Sequence, residues 1–130
     1  DEEPLSMHEL QNLMHQLITG GYETTQSAIN HGMWALIRFP DIAEKIYEDE
    51  SLLKPFIEEV LRWESPVQFL LRRTSKDVEV SGTVIPKDSM VMMGYGPANR
   101  DEEKFSCPHQ FQLNREGVGA HMALGSGAHH

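Results

Sequence analysis

One long helical run dominates the first third of the chain and limits the folds that it can adopt. Ser6 followed by Glu9 is the capping-box pattern that begins a helix. Pro40 disfavours helix at the residue before it, so we predict one helix over about residues 7–38. One face repeats at helical spacing through Leu10, Leu13, Met14, Leu17, Ile18, Gly21, Thr25, Ala28, Gly32, Ala35 and Leu36.

Such a helix is longer than a compact globule of this size. At 1.5 Å per residue it would extend roughly 48 Å. A globule of 130 residues has a diameter of only roughly 36 Å. The sequence therefore predicts either a piece of a larger protein or a chain that folds against something else.

The middle of this helix contains a defect that needs an explanation. Residues 17–26 read LITGGYETTQ, and each of the adjacent Gly20 and Gly21 weakens a helix by about 1 kcal/mol relative to alanine. An acid and an alcohol follow at Glu23 and Thr24. Taken alone, Thr24 has the common structural role of bonding back to the carbonyl of Gly20, four residues earlier.

Two further helices and a small sheet are predicted downstream. Apolar spacing indicates helices over about residues 41–50 and from Leu53 to the residue before Ser65. The runs VQFLL, DVEV, TVI and MVMM, separated by turn residues, favour a small antiparallel sheet. From Tyr95 to His130 the sequence has no periodicity, which is typical of a functional loop or of missing context. The predicted fold class is mainly α with a small antiparallel β region.

Charge and cysteine content exclude several classes of partner. The formal net charge of −9 repels nucleic acid and acidic membrane surfaces, so we predict neither as a partner. The single cysteine, Cys107, cannot form an internal disulfide, in agreement with a reducing compartment. No apolar run approaches the roughly 18 residues of a membrane span, and no signal-peptide pattern opens the chain. We therefore expect a soluble cytoplasmic protein.

Several polar residues are weak signals when each is taken alone. Glu59 and Arg62 have i,i+3 spacing on a helix, where a solvated pair contributes roughly 0.3 kcal/mol. Arg72 and Arg73 have the character of edge-strand charges that discourage aggregation. The histidines lack the i,i+4 helical spacing of a zinc protease, so loop polarity explains them.

Taken in order, however, these signals resemble the C-terminal half of a cytochrome P-450, a member of the haem-thiolate monooxygenase family. GGYETT resembles the family's oxygen-binding motif, Ala/Gly-Gly-x-Asp/Glu-Thr, and EEVLR resembles its Glu-x-x-Arg helix. RRTSKDVEVSGTVIPKDS is similar to the strand region whose arginine meets a haem propionate, and ANRDEEKFSCPHQF to the irregular meander that follows. HMALGSGAHH resembles the start of the haem loop, Phe-Gly-x-Gly-x-His-x-Cys. The resemblance implies one partial domain over residues 1–130, incomplete at both ends.

The resemblance also assigns roles around the glycine pair. In this family the long helix crosses the distal face of the haem, so Gly20 and Gly21 would let dioxygen and substrate approach the backbone. Thr24 would hydrogen-bond the bound dioxygen, and Glu23 would help to relay protons to it. Tyr22 would be a substrate contact or a packing residue.

Residues farther along the chain would hold the cofactor or the substrate. Glu59 and Arg62 would form a buried structural pair that supports the haem-binding core. Arg72 and His129 would hold the haem propionates through charge-assisted hydrogen bonds. His129, in place of the arginine common in membrane-bound relatives, gives the chain a bacterial, soluble character. The substrate pocket would be lined by Val67, Gln68 and Phe69.

The chain departs from the family pattern at two positions. Gln110 stands where the meander usually carries an arginine that completes a triad with Glu59 and Arg62. That network is therefore expected to be altered or supplied differently. Leu124 replaces the phenylalanine that packs near the proximal sulfur, which would change the electronic environment of the iron ligand.

The cysteine that ligates iron in this family is also absent from the chain. Cys107 falls in the meander and is a poor substitute, and the family spacing puts the ligand immediately after His130. The resemblance implies haem b as cofactor in a longer parent protein, with this chain inactive on its own. The parent would insert one atom of O2 into a small apolar molecule, with electrons from a ferredoxin-type donor.

Two alternatives stay open at the level of sequence. The chain could be a truncated, haem-free remnant that acts as a binding or interaction module. It could also be an unrelated helical domain with coincidental motifs, which a fold without the long helix would support.

Overall fold

The computed structural model describes residues 4–127, and its helices account for most of the regular structure. The predicted long helix is confirmed as one uninterrupted element. The helices are α1 (Met7–Arg38), α2 (Pro40–Glu48), α3 (Leu53–Trp63) and the single turn α4 (Tyr95–Ala98). The strands are β1 (Phe69–Arg73), β2 (Val78–Val80), β3 (Thr83–Ile85) and β4 (Met90–Gly94).

The start of α1 follows the capping-box pattern of the sequence. The amide of Glu9 donates to Ser6 Oγ at 3.3 Å, and the amide of Ser6 donates to Glu9 Oε2 at 2.8 Å. The hydrogen bonds from Ser6 lower the pKa of the Glu9 carboxyl. The capping box therefore satisfies two amides at the start of α1, those of Ser6 and Glu9.

The second helix differs from its predicted bounds. It begins at Pro40, whose fixed φ suits the first helical position, and it ends at Glu48. The Asp49 carboxylate accepts from the amide of Ser51 at 3.0 Å, and a 3₁₀ turn over Glu50–Leu52 follows. The side chain of Asp49 thus competes with the helix for backbone hydrogen bonds and ends it early.

The predicted antiparallel sheet is present as two separate ribbons. In the first ribbon β1 pairs with β4, with Phe69 opposite Gly94 and Arg73 opposite Met90. In the second, β2 and β3 form a tight hairpin closed by Ser81 and Gly82, with φ values of 49° and 76°. Positive φ at both central residues is the geometry that favours such a two-residue turn.

The core is small and lies where α1, α2 and α3 meet. Its buried apolar side chains are those of Ala35, Ile42, Phe56 and Val60. Beside them an aromatic cluster extends to the irregular segment that follows α4. The Trp34 and Trp63 rings stack at 5.3 Å between centroids, and Phe111 contacts Trp63 edge to face at 5.5 Å.

The N-terminal half of α1 projects beyond this core. Several large apolar side chains on it are exposed, namely Met7, Leu10, Leu13, Met14, Leu17, Ile18 and Tyr22. A contiguous apolar surface of this kind is typical of a region that packs against further protein. The uncovered helix agrees with the mismatch between helix length and chain size seen in the sequence.

Candidate functional site

The glycine pair lies on an open stretch of α1. Apart from its chain neighbours and the adjacent helix backbone, a Cβ added at Gly20 would have Gln16 Nε2 at 3.9 Å as its one neighbour within 4 Å among the described residues. With the same atoms set aside, a Cβ added at Gly21 would have no neighbour within 4 Å among residues 4–127. The helix continues unbroken through both positions. The pair therefore leaves a part of the helix surface free of side chains.

Thr24 is bonded to the helix backbone beside this open stretch. Its hydroxyl donates to the carbonyl oxygen of Gly20 at 2.7 Å, which is the structural role open to any helical threonine. Thr24 is half-buried and lies on the same face of α1 as the core residue Ala35, three helical turns later. The hydroxyl oxygen keeps its lone pairs for a further hydrogen bond.

Tyr22 and Glu23 do not share this face. Successive residues of a helix are about 100° apart, so Tyr22 points almost opposite to Thr24. Its side chain is 65% exposed, and Glu23 is exposed as well. Tyr22 instead lines a shallow groove of about 260 Å³ together with Gly21, Thr25, Gln26, Ile29 and Asn30.

Glu59 and Arg62 form a fully buried ion pair on α3. Arg62 Nε donates to Glu59 Oε2 at 2.7 Å, and Nη2 donates to Oε1 at 2.8 Å, so the pair is bidentate. The remaining Arg62 nitrogen, Nη1, donates to the carbonyls of Asn99 at 2.8 Å and Pro108 at 2.9 Å. One arginine thereby fixes α3 to two points of the irregular segment.

Arg115 supplies the second guanidinium of this cluster. Its Nε lies 3.0 Å from both carboxylate oxygens of Glu59. Its other nitrogens donate to the carbonyls of Ser106 at 2.5 Å and Gln110 at 2.7 Å. Gln110 contributes its main-chain carbonyl to this network, and the residue itself is exposed to solvent. The second guanidinium of the network therefore comes from Arg115, five residues after Gln110.

Sequence reasoning missed Arg115, although one signal could have found it. It is the only arginine after residue 100, so it is the one guanidinium that the sequence offers downstream of Gln110. A buried carboxylate that carries two arginines needs further acceptors for their hydrogens. The carbonyl oxygens of the meander provide them, which cannot be read from side-chain identity.

Arg72 is an exposed cation on the β1–β4 ribbon. It pairs across the strands with Val91, and its Nη1 donates to the carbonyl of Leu71 at 3.0 Å. Within residues 4–127 it forms no ion pair, whereas the next residue, Arg73, lies 3.2 Å from Asp88. Alternate strand residues share a face, so the exposed Leu70 lies beside Arg72. This face presents an apolar side chain next to an available cation.

The three residues predicted to line a substrate pocket have different surroundings. Val67 is half-buried, and Phe69 is 54% exposed. The Gln68 side chain donates from Nε2 to the carbonyl of Ser65 at 2.7 Å. It also packs over Gly96, where an added Cβ would overlap Gln68 Oε1, so a larger residue there would displace the Gln68 side chain. Of the three, Phe69 presents the most apolar surface to solvent.

The last described residues form a turn that leads toward the predicted iron ligand. The amide of Gly125 donates to the carbonyl of Met122 at 2.9 Å, and Gly125 adopts a φ of 81°. Leu124 is 69% exposed at the tip of this turn. His129, predicted to hold a propionate, lies outside the described residues.

The described part of the chain has neither a cluster of metal-ligating side chains nor a membrane-spanning helix. Between residues 4 and 127 no group of three or more His, Cys, Asp or Glu side chains is arranged to hold a metal ion. Cys107 is exposed in the meander. In the same residues, no helix is both long and apolar enough to span a membrane.

The chain is similar to known proteins of one family. The family described as Cytochrome P450 matches residues 1–115. A methyl-branched lipid omega-hydroxylase of Mycobacterium tuberculosis is 38% identical over 135 residues, covering 97% of this chain and 32% of that protein. The cytochrome P450 monooxygenase PikC of Streptomyces venezuelae is 38% identical over 130 residues, covering 99% of this chain and 31% of that protein.

Solved structures agree with these matches. The structure of CYP109E1 from Bacillus megaterium in complex with testosterone superposes with a TM-score of 0.90 at 34% identity. It covers 98% of this chain and 35% of that one. The chain spans about a third of the length of the curated relatives that it matches. A coincidental set of motifs on an unrelated fold is thus excluded, and the chain belongs to the cytochrome P450 family.

Proposed function

We propose that the complete protein containing this chain is a haem-dependent monooxygenase that inserts one oxygen atom from O2 into a small apolar organic substrate. The observation that carries this proposal is the open face of α1 at Gly20 and Gly21, with the Thr24 hydroxyl beside it. A gap in side-chain cover next to a hydroxyl lets small reactants approach a hydrogen-bonding group. The names of the relatives as hydroxylase and monooxygenase support the same reaction class.

Members of this family use haem b, and the described residues fit part of its outline. Arg72, which forms no ion pair within residues 4–127, suits a propionate, and the exposed Leu70 beside it suits the apolar ring edge. His129 is proposed as a second propionate ligand. The cysteine expected after His130 is proposed as the iron ligand. When bound, haem supplies the activation of dioxygen and the storage of electrons.

In this proposal Thr24 and Glu23 handle protons on the distal face of the haem, the face that α1 would cross. Thr24 now donates its hydroxyl hydrogen to Gly20 O, and rotation about its Cβ–Oγ1 bond would redirect that hydrogen toward an incoming oxygen atom. Glu23 is exposed, so its carboxyl is open to solvent. It would replace the protons that leave through Thr24.

An apolar substrate is supported by the surface that the structure leaves open. Phe69 and the half-buried Val67 lie just before Arg72 on the chain. Two relatives are named for, or bound to, apolar molecules, a methyl-branched lipid and testosterone. We propose Val67, Gln68 and Phe69 as contacts of such a substrate, and a packing role for Tyr22, which points away from Thr24.

Electrons must come from outside the chain. One atom of O2 enters the substrate and the other leaves as water, so each turnover consumes a reductant. We propose a ferredoxin-type protein as donor and propose no nucleic acid or membrane partner. A cytoplasmic location remains a prediction.

The test is to supply the complete protein with haem, a ferredoxin, a ferredoxin reductase and isotopically labelled dioxygen. The substrates are a branched fatty acid and a steroid. Label in a hydroxylated product supports the proposal. If the purified protein took up no haem, the result would instead favour the alternative left open by the sequence, a binding module without catalysis. A matched reaction in labelled water should leave the product unlabelled.

A further inference from the structure

A buried histidine lies in the turn that leads toward the predicted iron ligand. His121 is 7% exposed although it sits in irregular structure near the end of the described chain. Its Nε2 lies 3.0 Å from Glu58 Oε2 on α3, and the amide of Ala123 donates to its Nδ1 at 3.2 Å. The imidazole therefore bridges a helix side chain and the main chain of its own turn.

The two partners of His121 determine where its proton lies. An amide N–H can only donate, so Nδ1 must present a lone pair to Ala123. An ionised carboxylate can only accept, so Nε2 must carry the hydrogen that bonds Glu58. The geometry thus specifies a neutral imidazole with its proton on Nε2.

Glu58 can hydrogen-bond His121 because its carboxylate does not bind the arginines of the Glu59 cluster. The neighbouring Glu59 is fully buried and bonded to Arg62 and Arg115. Glu58 is about 100° away around α3, and its side chain is 31% exposed. Adjacent carboxylates on one helix therefore fix two different segments, the meander and the turn.

Asn99 holds the same turn from the other side. It is fully buried, and its Oδ1 accepts from the amide of Met122 at 2.6 Å. Its Nδ2 donates to Ser65 Oγ at 2.7 Å, and its carbonyl accepts from Arg62 Nη1 at 2.8 Å. Consecutive amides, those of Met122 and Ala123, are thus held by side chains anchored on α3.

The residues that follow this anchored segment offer little restraint of their own. Gly125 and Gly127 have φ values of 81° and 119°, which glycine adopts without steric cost. Glycine also loses the most conformational freedom on folding. The position of any group beyond them depends on how firmly the preceding main chain is fixed.

We infer that His121 and Asn99 are positioning residues for the haem loop. His121, held by Glu58, and Asn99 fix the main chain at residues 121–123, from which the chain runs to the ligand position expected after His130. The inference rests on the proposed function, because that function puts the iron ligand there. It assigns a role in the site to groups that make no contact with substrate or iron.

The first test needs no haem and uses the complete protein in its apo form. Nitrogen-15 NMR of the imidazole should show His121 as the neutral form protonated on Nε2. In His121→Ala the amide of Ala123 should exchange roughly tenfold faster with solvent. The exposed His109→Gln is the matched control and should leave that rate unchanged. A proton on Nδ1, or an unchanged exchange rate in His121→Ala, would overturn the inference.

The second test reads the haem site by spectroscopy. In His121→Ala and in Glu58→Ala, haem affinity should fall about 10–100-fold, the usual effect of removing an outer-shell partner. The thiolate-type band of the reduced carbon monoxide complex should fall with it. His121→Gln keeps a donor for Glu58 and should recover part of this loss.

The outcome of the second test separates the inference from the proposed function. Equal thiolate bands in wild type, His121→Ala and Glu58→Ala would overturn the positioning role, even if the melting temperature fell. A wild-type protein without any thiolate band would overturn the proposed function. In that case the NMR and exchange results would still decide how His121 holds residues 121–123.

Discussion

At the scale of single residues, the Glu59 carboxylate determines how the irregular segment is attached to α3. It carries two guanidinium groups at 2.7 to 3.0 Å, from Arg62 and Arg115, and all three side chains are almost completely buried. Burying charges is costly, so such a cluster is stable only when its remaining hydrogens find acceptors. The main-chain carbonyls of the meander provide these acceptors, which makes the cluster and the segment interdependent.

We therefore expect Arg62→Ala and Arg115→Ala to lower the free energy of unfolding of the complete protein by about 3–5 kcal/mol. Each change leaves a buried carboxylate without full compensation. Haem incorporation should fail in both variants. Chemical denaturation and the ratio of haem to protein after purification measure these effects.

Two substitutions serve as controls for this prediction. Gln110→Ala should have little effect, because Gln110 accepts from Arg115 through its main-chain carbonyl, which alanine keeps. Lys45→Ala removes an exposed ion pair with Asp41 at 3.5 Å and should change the free energy of unfolding by less than about 1 kcal/mol. If Gln110→Ala matched Arg115→Ala in its effect, the assignment of the second arginine would be wrong.

Thr24 provides the second prediction at this scale. In the complete protein, Thr24→Ala should raise peroxide release and lower product formation per electron consumed, because the hydroxyl that would donate to bound oxygen is gone. Thr25→Ala is the matched control, since Thr25 lines the shallow groove on another side of α1. Unchanged coupling in Thr24→Ala would leave only the bond to Gly20 O as its role.

At the scale of elements, the strongest periodic signals gave the most accurate predictions. The bounds of α1 follow from Ser6, Glu9 and Pro40, which act locally and can be read directly. The end of α2 could not be read in this way, because Asp49 satisfies the Ser51 amide in place of the helix. The division of the sheet depends on β1 pairing with β4 around an inserted hairpin, and such non-local pairing has no short sequence signal.

The capping box predicts a dependence of α1 on pH. Hydrogen bonds from Ser6 lower the pKa of Glu9 below its ordinary value of 4.5 in the folded chain. A carboxyl whose pKa is lower in the folded state than in the unfolded state stabilises the fold at any pH above its unfolded-state pKa. This stabilisation is lost as the pH falls through the folded-state pKa. The protection factors of amides in the first turn of α1, which are corrected for the intrinsic effect of pH on exchange, should therefore fall as the pH drops below about 4.5. Glu9→Gln should remove this dependence, and a first turn equally protected on both sides of that pH would contradict the prediction.

At the scale of the whole molecule, the chain presents surfaces that the described residues do not cover. An apolar groove of about 290 Å³ between α1 and α3 is lined by Ala28, Ile29, Gly32, Met33, Leu36, Phe56, Ile57, Val60 and Leu61. With the exposed half of α1, it agrees with a chain that spans about a third of its relatives. The motif order was sufficient to identify the family. It did not show which groups occupy these surfaces, because that depends on sequence outside the chain.

The central claim is that a cysteine immediately after His130 ligates haem iron in the complete protein. Its most direct test is the carbon monoxide spectrum of the reduced, haem-reconstituted protein, recorded for this 130-residue chain and for a chain that continues past His130. We predict a red-shifted Soret band of the thiolate type in the longer chain alone, since a thiolate ligand favours O–O cleavage in this class of haem protein. A thiolate-type band from the 130-residue chain would contradict the claim and assign the iron to Cys107. No such band in either chain would contradict the haem-thiolate function itself.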